Sequence, residues 1–138
     1  MRFFTVCIAL AALSTVTVAA DKIKLPEDAK LLTKTEVLAL YSGKSFNWSH
    51  PNTDKGTGTT VFDATAANMG GTYHVGKYKG EWEGVISWKG EQYCYKTRGK
   101  GEKKYSKVTC NLVYAKDGTS YEIDPKKKTL LSVNTPQQ

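Results

Sequence analysis

The sequence predicts a mainly β protein: a single small antiparallel β-barrel of about seven strands, with one short N-terminal helix and one disulfide. A two-layer sandwich is the second choice. Three observations predict it. After Gly43 the apolar residues recur with period two, the signature of half-buried strands. The connections between these runs are short, which forces antiparallel neighbours, because a parallel crossover needs a dozen residues or more. Cys94 and Cys110 sit symmetrically about the Gly/Lys-rich stretch 98–103. A closed ring removes the exposed edges that an open meander would leave.

Length and composition bound the reading further. A chain of 138 residues has room for one domain and little for two. Twelve Gly and four Pro are too few for a collagen-like or low-complexity chain, and 11% aromatic residues argue against disorder. Lys and Arg number 20 against 13 Asp and Glu, for a formal net charge of +7.

Residues 1–20 read as a cleaved signal peptide. Met1-Arg2 is a positive start, residues 3–13 are an almost unbroken apolar run, and Val18-Ala19-Ala20 puts small residues where a signal peptidase needs them. Cleavage is expected after Ala20. The apolar run is short for an anchoring helix, and no stop-transfer flank follows. No later stretch approaches the roughly 18–20 apolar residues that span a bilayer, so no transmembrane segment is expected after cleavage. No cysteine stands just after the cut, which argues against a lipid anchor. Removal of Cys7 leaves two thiols, and an even pair in an oxidising compartment reads as one disulfide, Cys94–Cys110. The loop it closes, residues 95–109, corresponds to about 3 kcal/mol in the chain-entropy account. In a hairpin centred on residue 102 the two cysteines face each other. No Cys-x-x-Cys spacing exists and both histidines are remote, so neither a metal nor a cofactor is expected.

The elements follow in order. Residues 21–32 mix charges with Pro26 and read as an extended arm. Thr33-Lys34-Thr35-Glu36 has the form of a capping box, and Ser42-Gly43 supplies a stop, so a two-turn helix is expected over 33–40. Its apolar side must pack on something, since so short a helix does not stand alone. Strands are expected over 44–49 with Phe46 and Trp48, over the β-branched run 59–64, and over 72–79 after a turn at Asn68-Met69-Gly70-Gly71. Over 81–89, Trp82, Gly84, Ile86 and Trp88 alternate with Glu81, Glu83, Val85 and Ser87. Lys89-Gly90 turns the chain into 91–97, residues 98–103 form a loop, and 104–115 make a long strand. Lys116-Asp117-Gly118 is a tight hairpin signal before 119–123, and Asp124-Pro125 ends that strand. The barrel domain thus covers 33–125, and residues 126–138 read as a basic C-terminal tail opened by Lys126-Lys127-Lys128.

Candidate chemistry is sparse. His50 lies at a strand end and His74 in mid-strand, with no Gly-x-Ser-x-Gly elbow and no His-Glu-x-x-His around them. A hydrolase using His50 or His74 with Glu81 or Asp63 is the least favoured reading. Glu81 and Glu83 share a strand face, as paired carboxylates for glycoside hydrolysis would, but it is the wet face opposite Trp82 and Gly84. Residues 52–56 resemble the opening of a calcium loop only faintly, with a Lys inside and no bidentate Glu downstream. Asn47-Trp48-Ser49 matches a glycosylation sequon, which matters only in a eukaryotic host.

Basic and aromatic residues gather more suggestively. Arg98, Lys100, Lys103, Lys104 and Lys107 cluster about the disulfide hairpin, with Tyr93, Tyr95, Tyr105 and Tyr114 on the strands between. Cations among aromatic faces grip single-stranded nucleic acid on small barrels. Export argues against nucleic acid as the target, so an anionic glycan, a lipid head group or an acidic protein is the better translation. Separately, Trp48, Trp82 and Trp88 are cavity candidates. Inward-pointing tryptophans either fill a small barrel or line a site for one ligand, and filling is the commoner outcome.

Leu40-x-x-Gly43 before an aromatic strand, Gly80-x-Trp82, Tyr93-Cys94-Tyr95 and the final Cys110 carry a resemblance. Over roughly residues 32–123 the chain resembles a family of small exported proteobacterial proteins known only as domain of unknown function number 995. The resemblance implies a bacterial periplasmic or secreted setting, a one-domain β-rich fold and a paired Cys94 and Cys110, and it carries over no catalytic residue. The functional expectation is therefore a non-catalytic periplasmic or secreted binding module associated with the envelope, using its basic and aromatic hairpin or barrel mouth. A lipocalin-like carrier of a small apolar ligand is the alternative.

Overall fold

The computed structural model describes residues 22–138, and the reading of residues 1–20 as a cleaved signal lies outside them. Nine strands and one α-helix follow one another: β1 (Lys30–Leu31), α1 (Lys34–Tyr41), β2 (Ser45–Ser49), β3 (Thr57–Phe62), β4 (Asn68–Val75), β5 (Tyr78–Lys89), β6 (Gln92–Gly99), β7 (Thr109–Lys116), β8 (Thr119–Ile123) and β9 (Leu130–Pro136). A short 3-10 turn, Thr53–Lys55, joins β2 to β3. From β2 to β9 each strand pairs antiparallel with the next, and β9 pairs back on β2. The result is a closed eight-stranded barrel, not a sandwich.

The ring closes through a strand the sequence hid. Residues 126–138 are not a free basic tail: Leu130–Pro136 fills the gap between β8 and β2, with Asn134 opposite both Ser120 and Trp48. The three lysines belong to the turn before it, where Asp124 Oδ1 accepts from the backbone N–H groups of Lys126 and Lys127 at 2.8 and 2.9 Å. The arm is likewise partly recruited. Lys30 and Leu31 pair with Ala115 and Tyr114 of β7, beside the stretch where β6 has ended its own pairing with that strand.

Two turns also differ from expectation. Residues 68–71 lie within β4 rather than forming a turn. The reversal comes earlier, where the Asp63 carboxylate accepts from the N–H groups of Thr65, Ala67 and Asn68 at 2.9 to 3.2 Å. The β4–β5 reversal falls at Gly76, whose φ of +57° is one that glycine adopts without strain. Residues 104–108 run outside regular pairing, and the strand starts only at Thr109.

The helix is held as its sequence dictates. Thr33 is the N-cap; its hydroxyl accepts from Glu36 N–H, while the Glu36 carboxylate accepts from Thr33 N–H at 2.8 Å. Val37 and Tyr41, four apart and hence on one face, are buried. The Tyr41 ring stacks on Phe62 at 4.3 Å and meets Phe46 and Tyr93 edge-on at 5.3 and 5.5 Å. Its hydroxyl bonds Ser120 Oγ at 2.8 Å. With Ala66, Met69, Ile86 and Val113 these residues form the core. The helix thereby plugs one end of the barrel and leaves the opposite half to other uses.

Candidate functional site

Beyond the plug the interior holds a cavity of about 420 Å³, within the range of small-molecule sites. Its volume follows from a large/small pattern around the wall. Trp48 of β2 is paired with Gly58 of β3, Tyr73 of β4 with Gly80 of β5, and Trp82 of β5 with Gly71 of β4. By alternation all six positions fall on the inner face, and the register sets each large ring beside a glycine. The Trp48 indole lies close to Gly56 and Gly58, and the Tyr73 ring covers Gly80. Such rings leave a face toward the cavity instead of filling it. Phe62, Met69, Tyr93, Tyr95 and Leu131 complete the apolar lining, with Thr60, Thr97 and Ser132 among the polar groups. Two inward rings of the packed half, Phe46 and Trp88, take no part in it. Trp88 lies edge-on to Tyr93 at 5.9 Å, under the Lys34 ammonium.

One wall carries a carboxyl. Glu122 of β8 is 5% exposed and lines the cavity. Asn111 Nδ2 of β7 donates to its Oε2 at 2.9 Å, and Asn134 Nδ2 of β9 to its Oε1 at 3.2 Å. Burial pushes the Glu122 carboxyl above its ordinary value, against the pull of hydrogen bonds from Asn111, Asn134 and Tyr95. The phenols around it are raised as well. Tyr41 and Tyr93 are raised first by burial and then by Glu122, and Tyr95 first by Glu122 and then by burial. Among the described residues no ion pair reaches Glu122. Asn111 Oδ1, also buried, has no hydrogen-bond partner.

The sequence-predicted site divides between two faces of the wall. Tyr93 and Tyr95 point inward to core and cavity, because alternation sends them away from Cys94, Lys96 and Arg98. On the outer face Tyr105 is joined by cations: the Arg98 guanidinium lies 4.4 Å and the Lys96 ammonium 5.0 Å from its ring centre. Arg98 also pairs with Glu83 at 2.6 Å, and Lys100 with Glu81 at 3.0 Å. Lys103, Lys104 and Lys107 are exposed. Cys94 and Cys110 are directly opposed across β6 and β7 and bonded. Of the three cavity tryptophans, Trp48 and Trp82 line it and Trp88 does not.

The histidines and their proposed partners stay apart in role. His50 lies at the cavity mouth, its Nδ1 accepting from Asn52 N–H at 3.0 Å. His74 is exposed on β4. Asp63 is engaged by its own turn and Glu81 by Lys100. Among the described residues no group of three or more His, Cys, Asp or Glu could hold a metal ion, and no helix is long and apolar enough to cross a membrane.

Glu122 was not legible as a site residue. Alternation with Tyr121 and Ile123 reads it onto a wet face, yet on β8 the polar residues Ser120 and Glu122 are the inward ones. A family model described as "Protein of unknown function (DUF995)" matches residues 6–128. No curated protein and no solved structure matches the chain.

Proposed function

The chain belongs to the DUF995 family, and since that description assigns no activity, we propose a function from the site itself: a non-catalytic carrier or sensor that holds one small molecule inside the barrel. The observation that supports this reading most directly is the cavity of about 420 Å³ walled by aromatic rings and reached from the end opposite the helix plug. Eight-stranded barrels have an interior that side chains just fill or that accepts one small ligand. Here the inward glycines Gly58, Gly71 and Gly80 favour the second outcome. Export to an oxidising compartment belongs to the same reading, supported by the N-terminal pattern and by the Cys94–Cys110 bond.

A neutral fluorescent apolar probe, N-phenyl-1-naphthylamine, tests it. Its emission is expected to rise with the full chain and to fall back in Thr97→Phe, which fills part of the cavity while the Trp88 environment stays unchanged. An interior closed to this probe and to smaller aromatic molecules overturns the reading.

A second reading keeps the outer hairpin as a dock for an anionic envelope component. It is favoured by the exposed Lys103, Lys104 and Lys107 beside the Arg98–Tyr105 stack, and weakened by the commitment of Arg98 and Lys100 to Glu83 and Glu81. Such binding should fall steeply with salt. It should suffer far more from Lys103→Glu with Lys104→Glu than from the same reversal at Lys22 and Lys24.

A further inference from the structure

Among the described residues the carboxyl that lines the cavity has no cationic partner. Glu122 is met only by neutral groups, the amides of Asn111 and Asn134 and the Tyr95 phenol, although a carboxylate offers about four lone-pair sites. Asn111 Oδ1, buried beside it, receives no hydrogen bond. The cation that lines the cavity, Lys55, sits on the exposed turn Thr53–Lys55 and is not bonded to Glu122. A buried carboxylate without a counter-charge is costly, and the cost falls when a cation joins it. The surrounding walls suit the same partner, since aromatic faces attract an ammonium group electrostatically. Trp48 and Trp82 present rings here, and their indole N–H groups are occupied by the Thr72 carbonyl at 3.1 Å each. The indoles therefore add π-faces to the site and no free donor.

We propose that the cavity takes a small aromatic or apolar amine in its protonated form, with the ammonium seated against Glu122 and the body between Trp48 and Trp82. This rests on the reading of the cavity as a ligand site and adds the charge of the ligand to it. Uncharged molecules lack the counter-charge, and carboxylates are repelled by Glu122.

Three probes of matched size separate the two claims: 2-phenylethylammonium, 2-phenylethanol and 3-phenylpropionate, titrated calorimetrically into the full chain at pH 7. The ammonium is expected to bind about tenfold or more tightly than the alcohol, equivalent to about 1.4 kcal/mol, with the carboxylate weakest. Glu122→Gln is expected to bring the ammonium down to the alcohol and to leave the alcohol nearly where it was. Equal affinity for ammonium and alcohol in the native chain, or a preference that survives Glu122→Gln, overturns this inference and leaves the ligand cavity standing. Failure of all three probes overturns this inference, and failure of N-phenyl-1-naphthylamine as well overturns both.

Should Glu122→Gln not fold, the native chain provides the readout. Preference for the ammonium over the alcohol should grow as pH rises and Glu122 ionises, and a flat preference overturns the inference. The other titratable groups facing the site are Tyr41 on α1, Tyr93 and Tyr95 on β6, Tyr73 on β4, and His50 and Lys55 at the mouth. The profile is repeated in His50→Gln, where the slope should persist. Its disappearance there would move the effect to the mouth and overturn the assignment to Glu122.

Discussion

Trp48 and Trp82, on strands separated by two others, donate their indole N–H groups to one carbonyl, that of Thr72, each at 3.1 Å. Inward glycines on the intervening strands make the wall thin enough for this. A Cβ on Gly71 would stand 1.8 Å from Thr59 O, and one on Gly58 2.0 Å from Thr72 O. Both obstacles are backbone and cannot swing aside. Gly71→Ala is therefore expected to lower stability by about 2 kcal/mol or more in denaturant unfolding. Gly70→Ala, one position along with its nearest contact at 3.1 Å, is expected to change it by less than about 1 kcal/mol.

Glu122 makes stability depend on pH in a defined direction. Its carboxyl is raised above 4.5 in the folded chain, so between its unfolded and folded values the native state holds the extra proton. Stability from this group is full at pH 4 and is lost as pH rises through the folded value, at up to about 1.4 kcal/mol per pH unit. Unfolding midpoints of native and Glu122→Gln protein, followed from pH 4 to 8, should diverge in favour of the variant as pH rises.

Tyr41 carries both the plug and a buried hydrogen bond. Tyr41→Phe leaves the fully buried Ser120 hydroxyl without that partner and is expected to cost about 1–2 kcal/mol. Tyr41→Ala removes the ring from between Phe46, Phe62 and Tyr93 and is expected to cost about 3–5 kcal/mol. Chemical denaturation of the two variants checks the order.

The helix start is separable from the plug. Thr33→Ala removes the N-cap acceptor and is expected to cost about 1 kcal/mol. Lys30, ahead of the Thr33 groups, holds the Glu36 carboxyl down to about 2. The support it gives the cap is present above pH 4.5 and is lost as pH falls toward 2, which a carboxyl NMR titration of Glu36 would record.

Replacing Cys94 and Cys110 together by Ala is expected to lower stability by about 2–4 kcal/mol. Amide exchange should accelerate most at Tyr93 to Tyr95 and Thr109 to Asn111, where the two strands pair.

What the sequence made legible was local. The capping box at Thr33 and Glu36, the inward series Trp82, Gly84, Ile86 and Trp88, and the opposed cysteines each depend on residues close along the chain or symmetric about one loop. The closing strand was hidden because Leu130–Pro136 pairs with Ser45–Ser49 from the far end of the sequence, and no turn residue announces such a partner. The turn assigned to residues 68–71 failed for another reason. Glycine there serves close packing against Trp82 and Thr59 rather than reversal, and composition does not distinguish the two uses. Glu122 is hidden by the rule that polar alternation faces water, which the inward Ser120 and Glu122 of β8 invert.

The shortest seam of the wall joins β6 and β7. There only Tyr93 to Tyr95 and Thr109 to Asn111 are in register, and the middle pair of that seam is the disulfide. A hydrogen-bonded ladder of three residues opens readily; one clasped by a covalent bond does not. Parting of those two strands is thereby barred. A ligand seated at Glu122 as proposed would pass through the mouth, by His50 and Lys55, and its exchange would be timed at that rim.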